Sequence, residues 1–149
     1  TIVSVDCSKD ALAVAQTNEE FHAVESRILF IEQNIFTSIN ETSLKQHSYD
    51  IIISNPPYIA QEEYAALQHD VRDYEPKIAT SDDADGYRFY YRIADIGKEL
   101  LRVPKIIAVE IAYNQSKKVQ QIFTDAGYHI LAVKKDYSGH ERIVLATLN

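Results

Sequence analysis

Short apolar runs rich in β-branched residues recur along this chain, and the segments between several of them place apolar residues at helical spacing. That alternation narrows the fold more than any other feature. Thr1 to Val5 is the first run, closed by Asp6-Cys7-Ser8, residue types that favour turns and helix starts. From Ser8 the apolar positions Ala11, Leu12, Val14 and Ala15 recur with helical period, and Asp10 falls in the first turn, where the helix dipole favours an acid. Arg27 to Glu32 reads as a buried strand and is followed by a polar stretch from Asn40 to Ser48. Asp50 to Ser54 carries three consecutive isoleucines, the pattern of a strand buried on both faces of a parallel sheet.

Beyond Asn55 two prolines break regularity, and a short helix is expected over Gln61 to Leu67. Val71 to Ala84 has no clean period and reads as an ordered loop. Asp85-Gly86 precedes a helical run in which Phe89, Ile93, Ile96 and Leu100 form one stripe. Lys105 to Ile111 is the next buried strand, and Asn114 to Ala126 an amphipathic helix closed by Gly127. Tyr128 to Val133 and Arg142 to Leu148 are strands joined by the polar turn Asp136 to His140, whose Gly139 suits a hairpin. The expected fold is a doubly wound α/β sheet, mostly parallel, covered on both faces and ending in an antiparallel strand pair. Ligands of such sheets sit at the carboxyl ends of the strands.

At 149 residues the chain is expected to be one domain, with enough length to bury a core. Its apolar stretches, such as Ile51 to Ile53 or Ile106 to Val109, fall far short of the roughly 20 residues of a membrane-spanning helix. Cys7 is the single cysteine, which excludes an intrachain disulfide and a cysteine-built zinc site and suits a reducing cytoplasm. No secretory signal is expected. His22, His47, His69, His129 and His140 lack metal-ligand spacing, and no metal is expected. A net charge of -7 and a pI near 5.1 offer no positive field for a phosphate backbone, so nucleic acid is a disfavoured partner.

The strongest local signal is Asn55-Pro56-Pro57-Tyr58, directly after the three isoleucines. Two prolines fix the backbone and remove two N–H donors, so the neighbouring carbonyls stand as rigid acceptors. Asn55 adds a side-chain carbonyl and Tyr58 a flat aromatic face. Together they can accept both hydrogens of a planar NH2 group and stack on the plane that bears it. The competing reading is a Pro-Pro turn with a capping Asn and a core Tyr.

The tetrapeptide resembles the signature of S-adenosylmethionine-dependent methyltransferases that modify planar amino or amide nitrogens. Its companions narrow the choice: Asn55 to Ile59, Tyr74-Glu75-Pro76, Asp85-Gly86 with Phe89-Tyr90-Tyr91-Arg92, Glu110-Ile111 before Asn114-Gln115, and Lys135-Asp136 with Gly139 and Arg142. In that order, from about Val5 to Val144, the series is similar to the HemK-like glutamine N5-methyltransferases, a family of the class I methyltransferase fold that acts on the Gly-Gly-Gln loop of peptide-chain release factors. The resemblance makes Asn55, Pro56, Pro57 and Tyr58 the catalytic and amide-binding segment, with Glu75 at the substrate. It assigns Asp6, which can also be simply a helix-start acid, to the cofactor ribose, and Asn34, standing where the family usually has an acid, to the adenine amino group through its side-chain carbonyl; Cys7 is then a small apolar neighbour of the adenine rather than a reactive thiol, and Ile35 and Asn55 lie at the cofactor. Glu75 and Glu110 can either position the substrate amide or satisfy backbone donors. Lys77, Arg88 and Arg92 read as solvated surface or as contacts for an incoming protein loop.

Two departures stand out. Asp82-Asp83 occupy positions where the family usually has paired glycines, so the local loop is expected to differ. The family's first strand, its Gly-rich turn and its small helical N-terminal domain are expected before Thr1, which makes residues 1–149 a partial methyltransferase domain, inactive alone and prone to self-association through open strand edges. The function implied is methyl transfer from S-adenosylmethionine to the side-chain amide of a protein glutamine, in the cytoplasm, with a release factor as partner and no membrane. The alternatives are N6-adenine or N2-guanine methylation of DNA or RNA, where a flipped base offers the same NH2, and a non-catalytic fragment or binding module.

Overall fold

The computed structural model describes residues 1–149, apart from the side chain of Glu41. The chain divides into two compact units, Thr1–Lys45 and Gln46–Asn149.

In the first unit β1 (Ile2–Asp6), α1 (Lys9–Phe21) and β2 (Ile28–Glu32) form a parallel strand–helix–strand unit in which Ile2 faces Ile28 and Asp6 faces Glu32. The Ser8 side chain caps α1, its Oγ accepting from the Ala11 N–H at 3.2 Å. Of the helical positions read from the sequence only Leu12 is buried, and Val14 is 62% exposed. The polar stretch coils into two single turns of 3-10 helix, Ile39–Glu41 and Ser43–Gln46, with Ile39, Thr42 and Leu44 buried.

The second unit holds β3 (Tyr49–Ser54), β4 (Leu101–Glu110), β5 (His129–Lys135) and β6 (Glu141–Leu148) in the order β3-β4-β6-β5. β3 and β4 are parallel, while β6 runs antiparallel to both β4 and β5, which gives the expected closing pair. Three short helices, α2 (Gln61–Tyr64), α3 (His69–Tyr74) and α4 (Lys77–Thr80), follow the proline segment. The expected loop over 71–84 is thus partly helical: α3 and α4 are one or two turns each, too short to show a period in the sequence. Two longer helices, α5 (Arg88–Leu100) and α6 (Ser116–Asp125), pack on the sheet.

The isoleucine run is not buried on both faces. Ile51 is 43% and Ile53 76% exposed, because alternate residues point to opposite faces and β3 is an edge strand. Ile52 pairs with Ile107 and so shares the face that α5 covers, where Ile107 and Val109 of β4 and Val144 and Ala146 of β6 are fully buried. The α5 stripe is centred on Tyr90, Ile93, Ala94 and Gly97 rather than on Phe89, which is half-buried. Gly97 lets the helix close on the sheet: a Cβ there would lie 2.5 Å from Tyr128 Oη and 2.7 Å from Ile107 Cδ1. The Tyr128 hydroxyl donates to the Ala94 carbonyl at 3.0 Å, and burial lifts this phenol to about 12. The expected α/β class holds, but in place of one mostly parallel sheet the strands form two separate ladders with two parallel and two antiparallel pairs, because β6 lies antiparallel between β4 and β5.

Candidate functional site

The proline segment leaves β3 at Ser54 with Asn55 exposed, Pro56 buried and Tyr58 half-buried. Because the prolines offer no N–H, the segment is tied down by the residues that follow and by acceptors. Ile59 donates to the Thr80 carbonyl at 3.0 Å, and its own carbonyl accepts from the Ser81 hydroxyl at 2.8 Å. The Asn55 side, Pro56, Tyr58, Leu67, Val71 and Glu75 surround a cavity of about 350 Å3 between the proline segment and α3. Its wall mixes apolar Pro56, Ile59, Leu67, Val71 and Ala79 with the polar side chains of Asn55, Tyr58, Gln68, Glu75 and Thr80, a mixture that can hold a small planar polar group.

Tyr58 remains a neutral phenol. Burial raises its pKa, and the nearby Glu110 carboxylate raises it further, with Arg142 acting in the opposite sense. Glu110 is half-buried and its backbone carbonyl accepts from the Tyr90 hydroxyl at 2.9 Å. Glu110 therefore faces Tyr58 rather than the cavity lining, whereas Glu75 lines the cavity and is exposed.

The loop that differs from the glycine pair is rebuilt with side-chain acceptors. Asp82 is 2% exposed, and its two oxygens accept from the Ala84 N–H at 2.8 Å and the Arg88 N–H at 3.1 Å, the latter in the first turn of α5. Asp83 takes a positive φ of 54°, the region a glycine would adopt, and its carboxylate lies 2.5 Å from Lys77 Nζ. Lys77 also sits 5.4 Å above the Tyr64 ring, so it is engaged with the protein rather than purely solvated.

In the first unit the residues assigned to the cofactor come together at the adjacent carboxyl ends of β1 and β2. Asp6 and Cys7 are exposed there, and the Gln33 N–H donates to the Asp6 carbonyl at 2.9 Å, extending the ladder by one bond. Asp6 Oδ1 accepts from the Ser8 N–H at 2.8 Å, which fixes the carboxylate at the strand end. Asn34 is exposed and Ile35 half-buried, and Asn34 Oδ1 accepts from the Phe36 N–H at 2.9 Å. One lone pair of that oxygen is thus committed to its own turn and the second remains for an amino group. All five histidines are exposed, and no group of metal-ligating side chains is assembled among the described residues. No helix among the described residues is long and apolar enough to cross a membrane.

Two residues quoted in the motif series without a role, Gly86 and Gln115, sit directly against the proline segment. Gln115 is 5% exposed and donates from Nε2 to the Tyr58 carbonyl at 2.9 Å. Their order in the sequence was the only signal available, since the contact spans 57 residues.

The Eco57I restriction-modification methylase family matches residues 5–131. A release factor glutamine methyltransferase from Fusobacterium nucleatum is 37% identical over 146 residues, 98% of this chain and 40% of that protein, so the chain spans well under half of its relative. A methyltransferase from Pyrococcus furiosus superposes with a TM-score of 0.65 at 14% identity, covering 97% of this chain and 61% of that one. The release-factor-specific protein-(glutamine-N5) methyltransferase of Alicyclobacillus acidocaldarius superposes with a TM-score of 0.51 at 18% identity, covering 99% and 79%. At these identities the two superpositions establish the fold.

Proposed function

The chain belongs to the Eco57I restriction-modification methylase family, and from that premise we propose that it is the part of a HemK-like enzyme that carries methyl transfer from S-adenosylmethionine to the side-chain amide nitrogen of a protein glutamine. The observation that carries the reading is the rigid Asn55–Tyr58 segment bordering a small cavity of mixed apolar and polar lining, taken with 37% identity to a release factor glutamine methyltransferase over nearly the whole chain. The partner is then a peptide-chain release factor presenting its Gly-Gly-Gln loop, and the reaction belongs in the cytoplasm. Residues 1–149 form part of the methyltransferase domain, with the Gly-rich turn supplied from outside them.

S-adenosylmethionine supplies a methyl group on a positively charged sulfur. The exposed Asp6 carboxylate suits the two ribose hydroxyls, and the free lone pair of Asn34, with Cys7 and Ile35 beside it, suits adenine. An amide nitrogen is a poor nucleophile because its lone pair is delocalised into the carbonyl. Asn55 Oδ1 and the Pro56 carbonyl accept its two hydrogens, oppose that delocalisation and direct the lone pair. Tyr58 offers its face to the amide plane as an uncharged ring. The work is positioning and electrostatics, and the proton lost afterwards passes to water.

Transfer to an adenine or guanine amino group is the second reading, favoured by the restriction-modification description of the matched family. The charge of -7 weighs against it, because a nucleic-acid backbone needs a basic groove. A paired substitution in the complete protein tests the assignment. Asn55→Ala is expected to cost about 10²-fold or more in turnover with cofactor affinity nearly unchanged. Asp6→Ala is expected to weaken cofactor binding by about 1–3 kcal/mol and leave release-factor affinity alone. Full turnover in Asn55→Ala would refute the site, and transfer to oligonucleotides but not to a release factor would refute the substrate.

A further inference from the structure

Gln115 stands just ahead of α6 but uses its side chain to join its own loop to the proline segment, the Gly86 turn and α5. Nε2 donates to the carbonyls of Tyr58 at 2.9 Å and Gly86 at 3.3 Å. Oε1 accepts from the Ala112 N–H at 3.2 Å and lies 3.3 Å from the Tyr90 hydroxyl, whose single proton is shared with the nearer Glu110 carbonyl at 2.9 Å. Two carbonyls on one side and the Ala112 N–H on the other fix which way the amide faces, since the flipped amide would set oxygen against oxygen and N–H against N–H. At 5% exposure the bonds have little competition from water.

The surroundings are fitted to this one amide. Gly86 has φ +85°, and a Cβ there would lie 2.6 Å from the Tyr58 oxygen and 3.0 Å from Gln115 Nε2. Any side chain at 86 would therefore push the Tyr58 carbonyl and the amide apart. Tyr90, fully buried on α5, sets its one hydroxyl proton between the Glu110 carbonyl at 2.9 Å and Gln115 Oε1 at 3.3 Å.

The bond matters because of what Asn55–Tyr58 lacks. Pro56 and Pro57 have φ set by their rings and no N–H with which to anchor themselves. Once the Tyr58 carbonyl is held, few torsions remain between it and the end of β3, so the Pro56 carbonyl, the Asn55 amide and the Tyr58 ring are aimed together. We propose that Gln115 is the positioning residue of this site, the side chain that sets the direction of the Asn55–Tyr58 acceptors, with Gly86 as the opening that admits it and Tyr90 as its orienter. The proposal rests on the reading of Asn55–Tyr58 as the segment that holds a planar amine.

Gln115→Met keeps length and bulk while removing both donors. In the complete protein its kcat is expected to fall about 100-fold, the scale of an ångström-sized misplacement, while KM for the release factor and cofactor affinity stay within about threefold. Its crystal structure is expected to have the Asn55–Tyr58 backbone displaced. A kcat within threefold of wild type, or an unmoved segment, would overturn the proposal. Should Gln115→Met fail to fold, Tyr90→Phe decides: it keeps the core ring and is expected to lower kcat by about tenfold, and an unchanged kcat overturns the role. The crystallographic result needs no substrate. A displaced segment together with wild-type protein that methylates only nucleic acid would overturn the glutamine reading and leave the role of Gln115 standing.

Discussion

Gly97→Ala sets helix propensity against packing at the point where α5 meets the sheet. Alanine is favoured over glycine in a helix interior by about 0.8–1 kcal/mol, so on propensity alone the variant should be more stable. The added Cβ, however, would sit 2.5 Å from Tyr128 Oη and 2.7 Å from Ile107 Cδ1, both inside contact distance. Overpacking of this kind costs about 1–3 kcal/mol. Moving the Tyr128 hydroxyl away would also stretch its 3.0 Å bond to the Ala94 carbonyl, worth about 1 kcal/mol. The bond roughly cancels the propensity gain, and a net loss of about 1–3 kcal/mol is expected. Urea unfolding followed by far-UV circular dichroism measures it, provided the slope stays constant. The nearest obstacle is a single atom, Tyr128 Oη, so a second background isolates its effect. With Tyr128→Phe in place the nearest obstacle is gone, and Gly97→Ala should cost less by about 1 kcal/mol or more, a coupling of the size expected for residues in contact. A stabilised Gly97→Ala, or an equal cost in both backgrounds, would mean that the Tyr128 hydroxyl does not limit how closely α5 approaches the sheet.

Two further perturbations bear on the loops around the proline segment. Asp82→Ala removes an acceptor from the Ala84 and Arg88 N–H groups and should cost about 2–4 kcal/mol in urea unfolding, the scale of two charge-assisted bonds; a loss under about 0.5 kcal/mol would mean that water replaces the carboxylate. The Arg142 guanidinium hydrogen-bonds Asp136 at 3.0 Å and, with the His140 and Ser138 N–H groups, holds its carboxyl below the usual aspartate value. A depressed folded-state pKa contributes stability that is present above the unfolded value and is lost as pH falls through the folded one. Carbon-13 NMR titration of Asp136 should therefore have a low midpoint that rises in Arg142→Ala, and an unmoved midpoint would assign the shift to the backbone donors alone.

The features legible in the sequence were those set by neighbours along the chain. Asn55–Tyr58 could be read because a buried strand, two prolines and an aromatic ring are contiguous, and α6 could be read because its period is long and its end is marked by Gly127, at φ +92°. The isoleucine run misled because three apolar residues in succession cannot tell which face is covered. β4 begins four residues before the expected start at Lys105: Pro104 argues against a regular ladder, and the irregular register, with Tyr49 facing Leu101 but Ile51 facing Ile106, leaves Pro104 without a ladder partner. Asp82 read as a departure from glycine, whereas its carboxylate supplies the loop with acceptors. The role of Gln115 depends on Tyr58, Gly86 and Tyr90 converging in space, and no local pattern encodes that.

The strand order β3-β4-β6-β5 also governs how this unit can be made. β5 pairs with β6 and with no other strand among the described residues, and β6 is what joins it to β4. During synthesis β5 leaves the ribosome before the strand that will connect it to the sheet. Until residues 141–148 emerge, one side of β4 has no partner, and Val109, whose register partner is Val144, lacks its neighbour in the ladder. Vectorial folding can assemble β3, α5 and β4, but the sheet that holds Glu110 against Tyr58 closes only when the later strand threads between two earlier ones. The nascent chain must therefore pass through a stage with two open strand edges, the state in which such segments are most exposed to chaperones and to pairing with other chains.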